Sequence, residues 1–171
     1  REGLIDTAIK SVTWETPIVI IENRQPLYTP IGKWIDGLLD SNLDKVEYMK
    51  EQNMEIMDLN EGVYIPTTDY NGNVTWGKIS AITRHDPTEI MYRITMRSGR
   101  SVIVTDSKSL IVWDENTRCF RETFMKDVKK GDRLVSAGFG LARAAKDSEA
   151  TAFNVIGRAL VDKLDSEPGM V

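Results

Sequence analysis

The stretches VYIPTTDYNGNVTWGKISAITRHD, residues 63–86, and MYRITMRSGRSVIVTD, residues 91–106, decide the fold class of this chain. Each contains a turn dipeptide, Asn71-Gly72 in the first and Ser98-Gly99 in the second, between segments rich in β-branched and aromatic residues. In the second stretch, apolar and polar residues also alternate on both sides of the turn. Short segments of this kind joined through a glycine turn are typical of antiparallel hairpins. The two stretches therefore predict two consecutive β-hairpins.

Two further segments extend the pattern along the chain. LIVWDENTRCFRE, residues 110–122, predicts a third hairpin that turns at Asp114–Thr117. VKKGDRLV, residues 128–135, predicts a Gly131-Asp132 turn that leads into a short strand. Many short strands joined by tight turns, with little helix between them, indicate an all-β, antiparallel domain.

Helical spacing is confined to segments that flank or interrupt this β pattern. Residues 30–39 predict a short amphipathic helix, and the charged, Met-rich insertion over 40–62 predicts helix around Leu43 to Gln52. Residues 136–146 have the composition of a linker, and residues 147–164 predict a C-terminal helical extension. The apolar face of that helix would carry Phe153, Ile156, Leu160 and Leu164.

Composition restricts the chemistry that the chain can perform. The 171 residues include 22 Lys plus Arg against 26 Asp plus Glu, a net charge of −4, so there is no general basic footprint for nucleic acid. No apolar run is long enough to cross a bilayer, and no secretory pattern opens the sequence. One Cys and one His exclude a disulfide framework and the usual zinc ligand sets. We expect the histidine, His85, to be a structural hydrogen-bonding group at a turn, beside Asp86-Pro87.

Three blocks of sequence follow one another along the chain, and their order is more specific to one family than any single block is. They are Ser11-Val-Thr-x-x-Thr16-Pro-Ile, then Gly99-Arg-Ser-Val-Ile-Val-Thr105-Asp-Ser-Lys108-Ser-Leu, then Lys130-Gly131-Asp132-Arg-Leu-Val. Taken singly, each reads as a strand edge decorated with hydroxyl groups. Together they resemble the Hint domain of inteins, the protein-splicing elements. The resemblance covers residues 11–135 and implies a horseshoe-like antiparallel β fold.

Residues 1–10, REGLIDTAIK, carry a second resemblance. They look like the bridge-helix segment of the largest RNA polymerase subunit. The similarity ends after Lys10, because unrelated β sequence begins at Ser11. The resemblance implies that residues 1–10 are host flank, the N-extein, and that Ser11 is the first intein residue.

The intein resemblance also implies a reaction and its residues. In that family the first side chain of the element attacks the preceding carbonyl, so the Ser11 hydroxyl would attack Lys10 and convert the Lys10–Ser11 amide into an ester. Thr105 would bond near the scissile peptide. Lys108, which stands where most inteins have histidine, would stabilise the oxyanion or donate to the leaving nitrogen. Polar support is expected from Thr13, Asp106 and Ser107, with no cofactor and no metal.

The C-terminal part departs from the family pattern. Complete inteins end in His-Asn before a Ser, Thr or Cys, and this chain contains no His-Asn pair. We therefore expect an N-terminal piece of a split or truncated intein that performs single-turnover autoprocessing, rather than a multiple-turnover enzyme. Residues 136–171 would be an endonuclease remnant or an association segment.

The expected partners follow from the same resemblance. They are a C-terminal intein fragment that supplies the last strands and the terminal Asn, and a host RNA polymerase largest subunit as extein, with no membrane or nucleic-acid partner. The location would be intracellular, in the cytoplasm or the nucleus, and a viral protein is included among the possible sources. Two alternatives stay open: a non-catalytic, Hint-derived binding module, or a splicing-blocked variant in which Ser11 replaces a cysteine.

Overall fold

The computed structural model describes residues 11–60, 62–68, 74–86 and 90–135, together with the backbone of 156–165. The described strands are, in chain order, β1 (Pro17–Glu22), β2 (Gln25–Pro30), β3 (Glu47–Met49), β4 (Met54–Asp58), β5 (Tyr64–Thr68), β6 (Val74–Lys78), β7 (Ala81–His85), β8 (Ile90–Met96), β9 (Ser101–Thr105), β10 (Ser109–Asp114), β11 (Cys119–Phe124), β12 (Arg133–Val135) and β13 (Ile156–Asp165). Helix α1 spans Ile31–Ser41, and 3-10 turns span Leu43–Lys45 and Met125–Asp127. Every strand pair formed by these residues is antiparallel, which confirms the predicted fold class.

One hydrophobic core collects side chains from helix α1 and from two small sheets. The sheets have the strand orders β2-β1-β5-β6 and β3-β4-β7. The predicted amphipathic helix is confirmed: Pro30 directly precedes it, Trp34 and Leu39 are buried, and Lys33 and Asp40 are exposed. The buried members of this core are Ile20, Trp34, Leu39, Met57, Val63 and Ile82.

The second core belongs to a six-stranded sheet of order β11-β10-β12-β13-β8-β9. Its buried members are Ile94, Val104, Val112, Met125, Val128 and Leu134. The three predicted hairpins are all present as β5–β6, β8–β9 and β10–β11. The turn of the first of them falls in residues 69–73, outside the described residues.

Local turn chemistry explains why these hairpins can be predicted. Gly99 and Gly131 have φ of +86° and +96°, a conformation that glycine adopts without steric cost. In the third hairpin, the Asp114 carboxylate accepts hydrogen bonds from the backbone N–H groups of Asn116 and Thr117 at 2.9 and 3.4 Å. In the second and third hairpins, the residues that stabilise the turn therefore lie within the turn itself.

The predicted C-terminal helix is wrong over residues 156–164, which lie in strand β13. This strand pairs with β12 through residues 156–158 and with β8 through residues 159–165. The three apolar residues Ile156, Leu160 and Leu164 are spaced four apart, which fits one face of a helix and equally one face of a strand. Pairing with β12 and β8 selects the strand rather than the helix. The remaining residues of the prediction, 147–155, and the predicted linker 136–146 lie outside the described residues.

The predicted helix around Leu43 to Gln52 is also wrong. Only Leu43–Lys45 is helical there, as a 3-10 turn, and β3 and β4 follow it as a hairpin. β4 in turn pairs with β7 over five residues and buries Met57. The charged residues of this segment have high helix propensity, but the pairing with β7 overrides that preference.

Candidate functional site

Ser11 lies against the edge strand β9 and is held at both of its backbone groups by Thr105. The Ser11 N–H donates to the Thr105 Oγ1 at 3.0 Å, and the Thr105 N–H donates to the Ser11 carbonyl at 3.1 Å. Two residues further on, the Thr13 N–H donates to the Ile103 carbonyl at 3.1 Å. Thr105 is 1% exposed, so its hydroxyl is a fixed group. The two residues that the sequence placed about the scissile bond therefore lie together.

His85 contacts the side chain of Ser11 from the other side. Its Nε2 lies 2.5 Å from the Ser11 Oγ, and its Nδ1 lies 2.5 Å from the Asp86 carbonyl oxygen. A carbonyl can only accept, so Nδ1 carries a hydrogen, and in the neutral imidazole Nε2 is then the acceptor for the Ser11 hydroxyl. His85 therefore makes the local hydrogen bond expected of a residue at a turn, and it also contacts the candidate nucleophile, which the sequence did not predict.

A clue to His85 was present in the sequence: it is the sole imidazole of the chain. Its position at the end of β7, 74 residues from Ser11, concealed the contact, because nothing local indicates where β7 lies relative to Ser11. Histidine is also the side chain best suited to exchange protons near neutral pH.

The other predicted site residues take different places. Lys108 lines the same cavity as Ser11 and His85, and its backbone is fixed by hydrogen bonds to Thr105 and Met125. Thr13 also lines the cavity and is 7% exposed, with its Oγ1 3.3 Å from that of Thr16.

Two predicted supporting residues are placed apart from this group. Ser107 donates to the neighbouring Asp106 carboxylate at 3.2 Å, and neither of these two described residues lines the cavity. Lys10 lies outside the described residues.

The cavity beside Ser11 has a volume of about 320 Å³ and a largely apolar lining. All five residues of β7, Ala81–His85, form one of its walls. Among the described strands, β7 has a single pairing partner, β4, and lies at the edge of its sheet. The cavity is therefore bounded by a strand edge whose backbone can pair with a further strand.

An ionic cluster around Arg84 fixes β7 to its neighbours. The Arg84 guanidinium contacts Asp36 at 2.9 Å and Asp40 at 3.1 Å on α1, and Glu55 at 2.6 Å on β4. The Asp36 carboxylate also accepts a hydrogen bond from the Trp14 indole at 2.8 Å. Arg84 directly precedes His85. The cluster therefore determines where β7, and the imidazole at its end, lies relative to α1.

The pKa values of the cluster follow from these contacts. Partial burial raises the pKa of Asp36, but hydrogen bonds from Trp14 and Arg84 and the charge of Arg84 outweigh it, so the net pKa lies below the ordinary value. The hydrogen bond from Arg84 lowers the pKa of Glu55 against the opposing effect of burial. The hydrogen bond to Glu55, followed by that to Asp36, raises the pKa of Arg84. Asp36, Glu55 and Arg84 are therefore ionised at neutral pH.

Within the described residues, no three His, Cys, Asp or Glu side chains are grouped so as to hold a metal ion. The helix among these residues is neither long nor apolar enough to cross a membrane.

Several solved structures that superimpose on this chain are inteins. A mini-intein of transcription factor IIB (Mvu) superimposes with a TM-score of 0.70 at 24% identity, covering 93% of this chain and 86% of that one. The PabCDC21-1 intein superimposes with a TM-score of 0.71 at 13% identity, covering 95% and 92%. The chain has the Hint fold. Sequence identities this low establish the fold of the Hint domain and nothing finer.

Relatives detected by sequence are proteins of transcription and replication. One is DNA-directed RNA polymerase subunit Rpo1C of Methanocaldococcus jannaschii, 27% identical over 124 residues. The alignment covers 72% of this chain but 14% of that subunit, so the Hint chain corresponds to a small part of its relative. No model of a protein family matches the chain.

Proposed function

We propose that this chain is a protein-splicing element whose reaction begins at the Lys10–Ser11 bond. The observation that carries the proposal is the position of the Ser11 hydroxyl, 2.5 Å from the His85 imidazole, on a residue whose amide and carbonyl are both bonded to Thr105. A serine hydroxyl needs an adjacent base to act as a nucleophile near neutral pH. A residue that served only to close a strand edge would need no such base.

The first step is an acyl shift from nitrogen to oxygen. The Ser11 Oγ gives its proton to His85 Nε2 and forms a bond to the Lys10 carbonyl carbon. The bond between that carbon and the Ser11 nitrogen then breaks, and the nitrogen takes back a proton from the imidazolium. The amide becomes an ester, no redox partner is consumed, and the histidine returns to its starting state. Proton transfer by a positioned side chain contributes about 10²- to 10⁴-fold to such a rate.

Thr105 and Lys108 complete the proposed site. The planar amide nitrogen of Ser11 donates to Thr105 Oγ1 at 3.0 Å before reaction. Once the carbonyl is attacked, that nitrogen becomes pyramidal and gains a lone pair, so the same hydroxyl can donate to it. Lys108 supplies a positive charge for the oxyanion or donates a hydrogen bond to the leaving nitrogen. With His85 as the shuttle, Lys108 need not lose its proton near neutral pH.

We further propose that a C-terminal intein segment completes the element, and that its host is an RNA polymerase largest subunit inside the cell. The apolar cavity and the open edge of β7 support this, because an added strand could pair with β7 and bury its side chains in the cavity. Such a strand would end beside Ser11 and His85, where the second junction must be brought to exchange acyl groups.

The proposal is tested by trapping the ester with hydroxylamine. The purified 171-residue chain is incubated with hydroxylamine at neutral pH, and the products are identified by mass spectrometry. The expected products are residues 1–10 as a C-terminal hydroxamate and residues 11–171 with a free Ser11 amine. Ser11→Ala removes the attacking oxygen and should abolish this cleavage.

The matched control is Ser101→Ala, which removes an exposed serine hydroxyl from the same strand, β9, to which Ser11 is bonded. That variant should cleave as the unaltered chain does. Absence of cleavage in the unaltered chain, or cleavage that survives Ser11→Ala, contradicts the proposed function.

A further inference from the structure

The first turn of α1 is bonded to the segment that follows Ser11. The first N–H groups of a helix have no partner inside the helix and must find acceptors elsewhere. Here the Ile31 N–H donates to the Thr16 carbonyl at 2.8 Å, and the Gly32 N–H donates to the Trp14 carbonyl at 2.9 Å. No side-chain cap is present at Pro30. The backbone of residues 14–16 therefore acts as the cap of α1.

The side chain of Trp14 is held on the same helix. Its indole occupies the space above Gly32: a Cβ added to that glycine would lie 1.9 Å from the Trp14 Cδ1. One turn further along the helix, the Asp36 carboxylate accepts the indole N–H at 2.8 Å. Gly32 is thus required for close packing, and Asp36 fixes the orientation of the ring.

These contacts form a closed circuit through the candidate site. From Trp14 the path runs to Asp36, from Asp36 to Arg84 at 2.9 Å, and along β7 to the adjacent His85. It closes where His85 meets Ser11, three residues before Trp14. The distance between the Ser11 hydroxyl and the His85 imidazole therefore depends on the rest of this circuit. The Trp14–Asp36 hydrogen bond is one of the contacts in it.

We propose that Trp14 is a positioning residue for the acyl shift, acting through its hydrogen bond to Asp36. The expected effect on the cleavage rate rests on the proposed function. The structural part of the inference does not: the indole N–H holds Ser11 in register with β9 and with His85. A misplacement of reacting groups by about 1 Å can lower a rate about 100-fold, so a single hydrogen bond at this point has a measurable effect.

The decisive variant is Trp14→Phe, which keeps an aromatic ring over Gly32 and removes the N–H donor. The matched control is Trp76→Phe, since the indole N–H of Trp76 is buried and has no hydrogen-bond partner. Trp14→Phe should slow hydroxylamine cleavage about tenfold or more, and Trp76→Phe should leave it unchanged. A second pair tests the acceptor: Asp36→Asn keeps an oxygen for the indole and should retain more activity than Asp36→Ala.

The second readout is hydrogen exchange of the Ser11 amide, which donates to Thr105 Oγ1. Its protection should fall about tenfold in Trp14→Phe and stay unchanged in Trp76→Phe, whether or not the chain cleaves. Failure of the unaltered chain to cleave would refute the proposed function, and the exchange data would still decide the role of Trp14. Unchanged exchange and unchanged cleavage in Trp14→Phe would overturn the inference. If Trp14→Phe fails to fold, equal behaviour of Asp36→Asn and Asp36→Ala would overturn it instead.

Discussion

His85 and Lys108 both line the cavity beside Ser11, but their side chains can do different chemistry there. An imidazole accepts a proton and returns it, whereas an ammonium group only donates near neutral pH. The contact of His85 Nε2 with the Ser11 Oγ is the reason that we propose His85 for the proton transfer. Lys108 then needs only its charge and its hydrogen bonds.

Replacement of each residue by a partial mimic should separate these roles. His85→Gln keeps a hydrogen-bonding group and loses the proton shuttle, so hydroxylamine cleavage should slow about 100-fold or more. Lys108→Arg keeps the positive charge and the donors, so the rate should stay within a few-fold of that of the unaltered chain. The rates are measured from the appearance of the 1–10 hydroxamate. Unchanged cleavage by His85→Gln would show that another group activates Ser11.

The two sides of this site differ in how far sequence could predict them. The sequence predicts Ser11, Thr105 and Lys108 as site residues because ordered blocks resemble a known family, and the structure brings these three residues to one cavity. It predicts a structural role for His85 because the neighbours Asp86 and Pro87 indicate a turn. Its contact with Ser11 depends on the packing of β7 against the segment after Ser11, which no local pattern encodes.

At the scale of elements, the hairpins and α1 were predictable and β13 was not. The second and third hairpins have their turn chemistry inside their own few residues, and α1 has an apolar face with a preceding proline. The apolar residues of β13 have a spacing that suits either kind of element. Its pairing with β8 and β12 is a long-range event, and such pairing overrides local preference. The same reason explains the strands found between residues 47 and 58.

A proline in β13 should distinguish a structural strand from a loosely attached tail. Val161 pairs with Ile94 of β8, in a strand that lies inside the six-stranded sheet. Val161→Pro removes a backbone N–H, and proline is excluded from the interior of a sheet, so we expect a clear fall in the urea midpoint of unfolding. Val161→Ala keeps the N–H and serves as the control for loss of the side chain. Equal midpoints for the two variants would contradict the position of β13 within the sheet.

At the scale of the whole molecule, the segment that follows Ser11 joins the two hydrophobic cores. Val12 packs against the core of the six-stranded sheet, and Trp14 packs on α1, which contributes Trp34 and Leu39 to the other core. The Arg84 cluster then ties α1 to β4 and β7. The proposed reaction at Ser11 would therefore depend on both cores keeping their relative placement. Acid can break the ionic cluster of this arrangement, because it protonates the carboxylates that bind Arg84.

Acid should therefore weaken the fold through Asp36 and Glu55. The pKa values of both carboxyls lie below their ordinary values in the folded chain, so the stability that they contribute is present above about pH 4 to 5 and is lost as the pH falls through the lowered folded values. Arg84→Met keeps an unbranched apolar stem and removes the charge and the hydrogen bonds that lower both pKa values. This variant should unfold at lower urea concentration at pH 7, and its further loss of stability between pH 5 and pH 3 should be smaller than that of the unaltered chain.

The matched control for this prediction is Arg121→Met. Arg121 also pairs with a carboxylate, that of Asp114, but backbone hydrogen bonds from Asn116 and Thr117 are the main cause of the lowered pKa of Asp114, and the charge of Arg121 is a minor one. Its removal should leave the dependence of stability on pH almost unchanged. Urea unfolding followed by tryptophan fluorescence at several pH values gives the free energies for all three chains. Parallel pH curves for Arg84→Met and the unaltered chain would mean that the cluster does not couple to folding, and the closed circuit through His85 would then lack the rigid link that it requires.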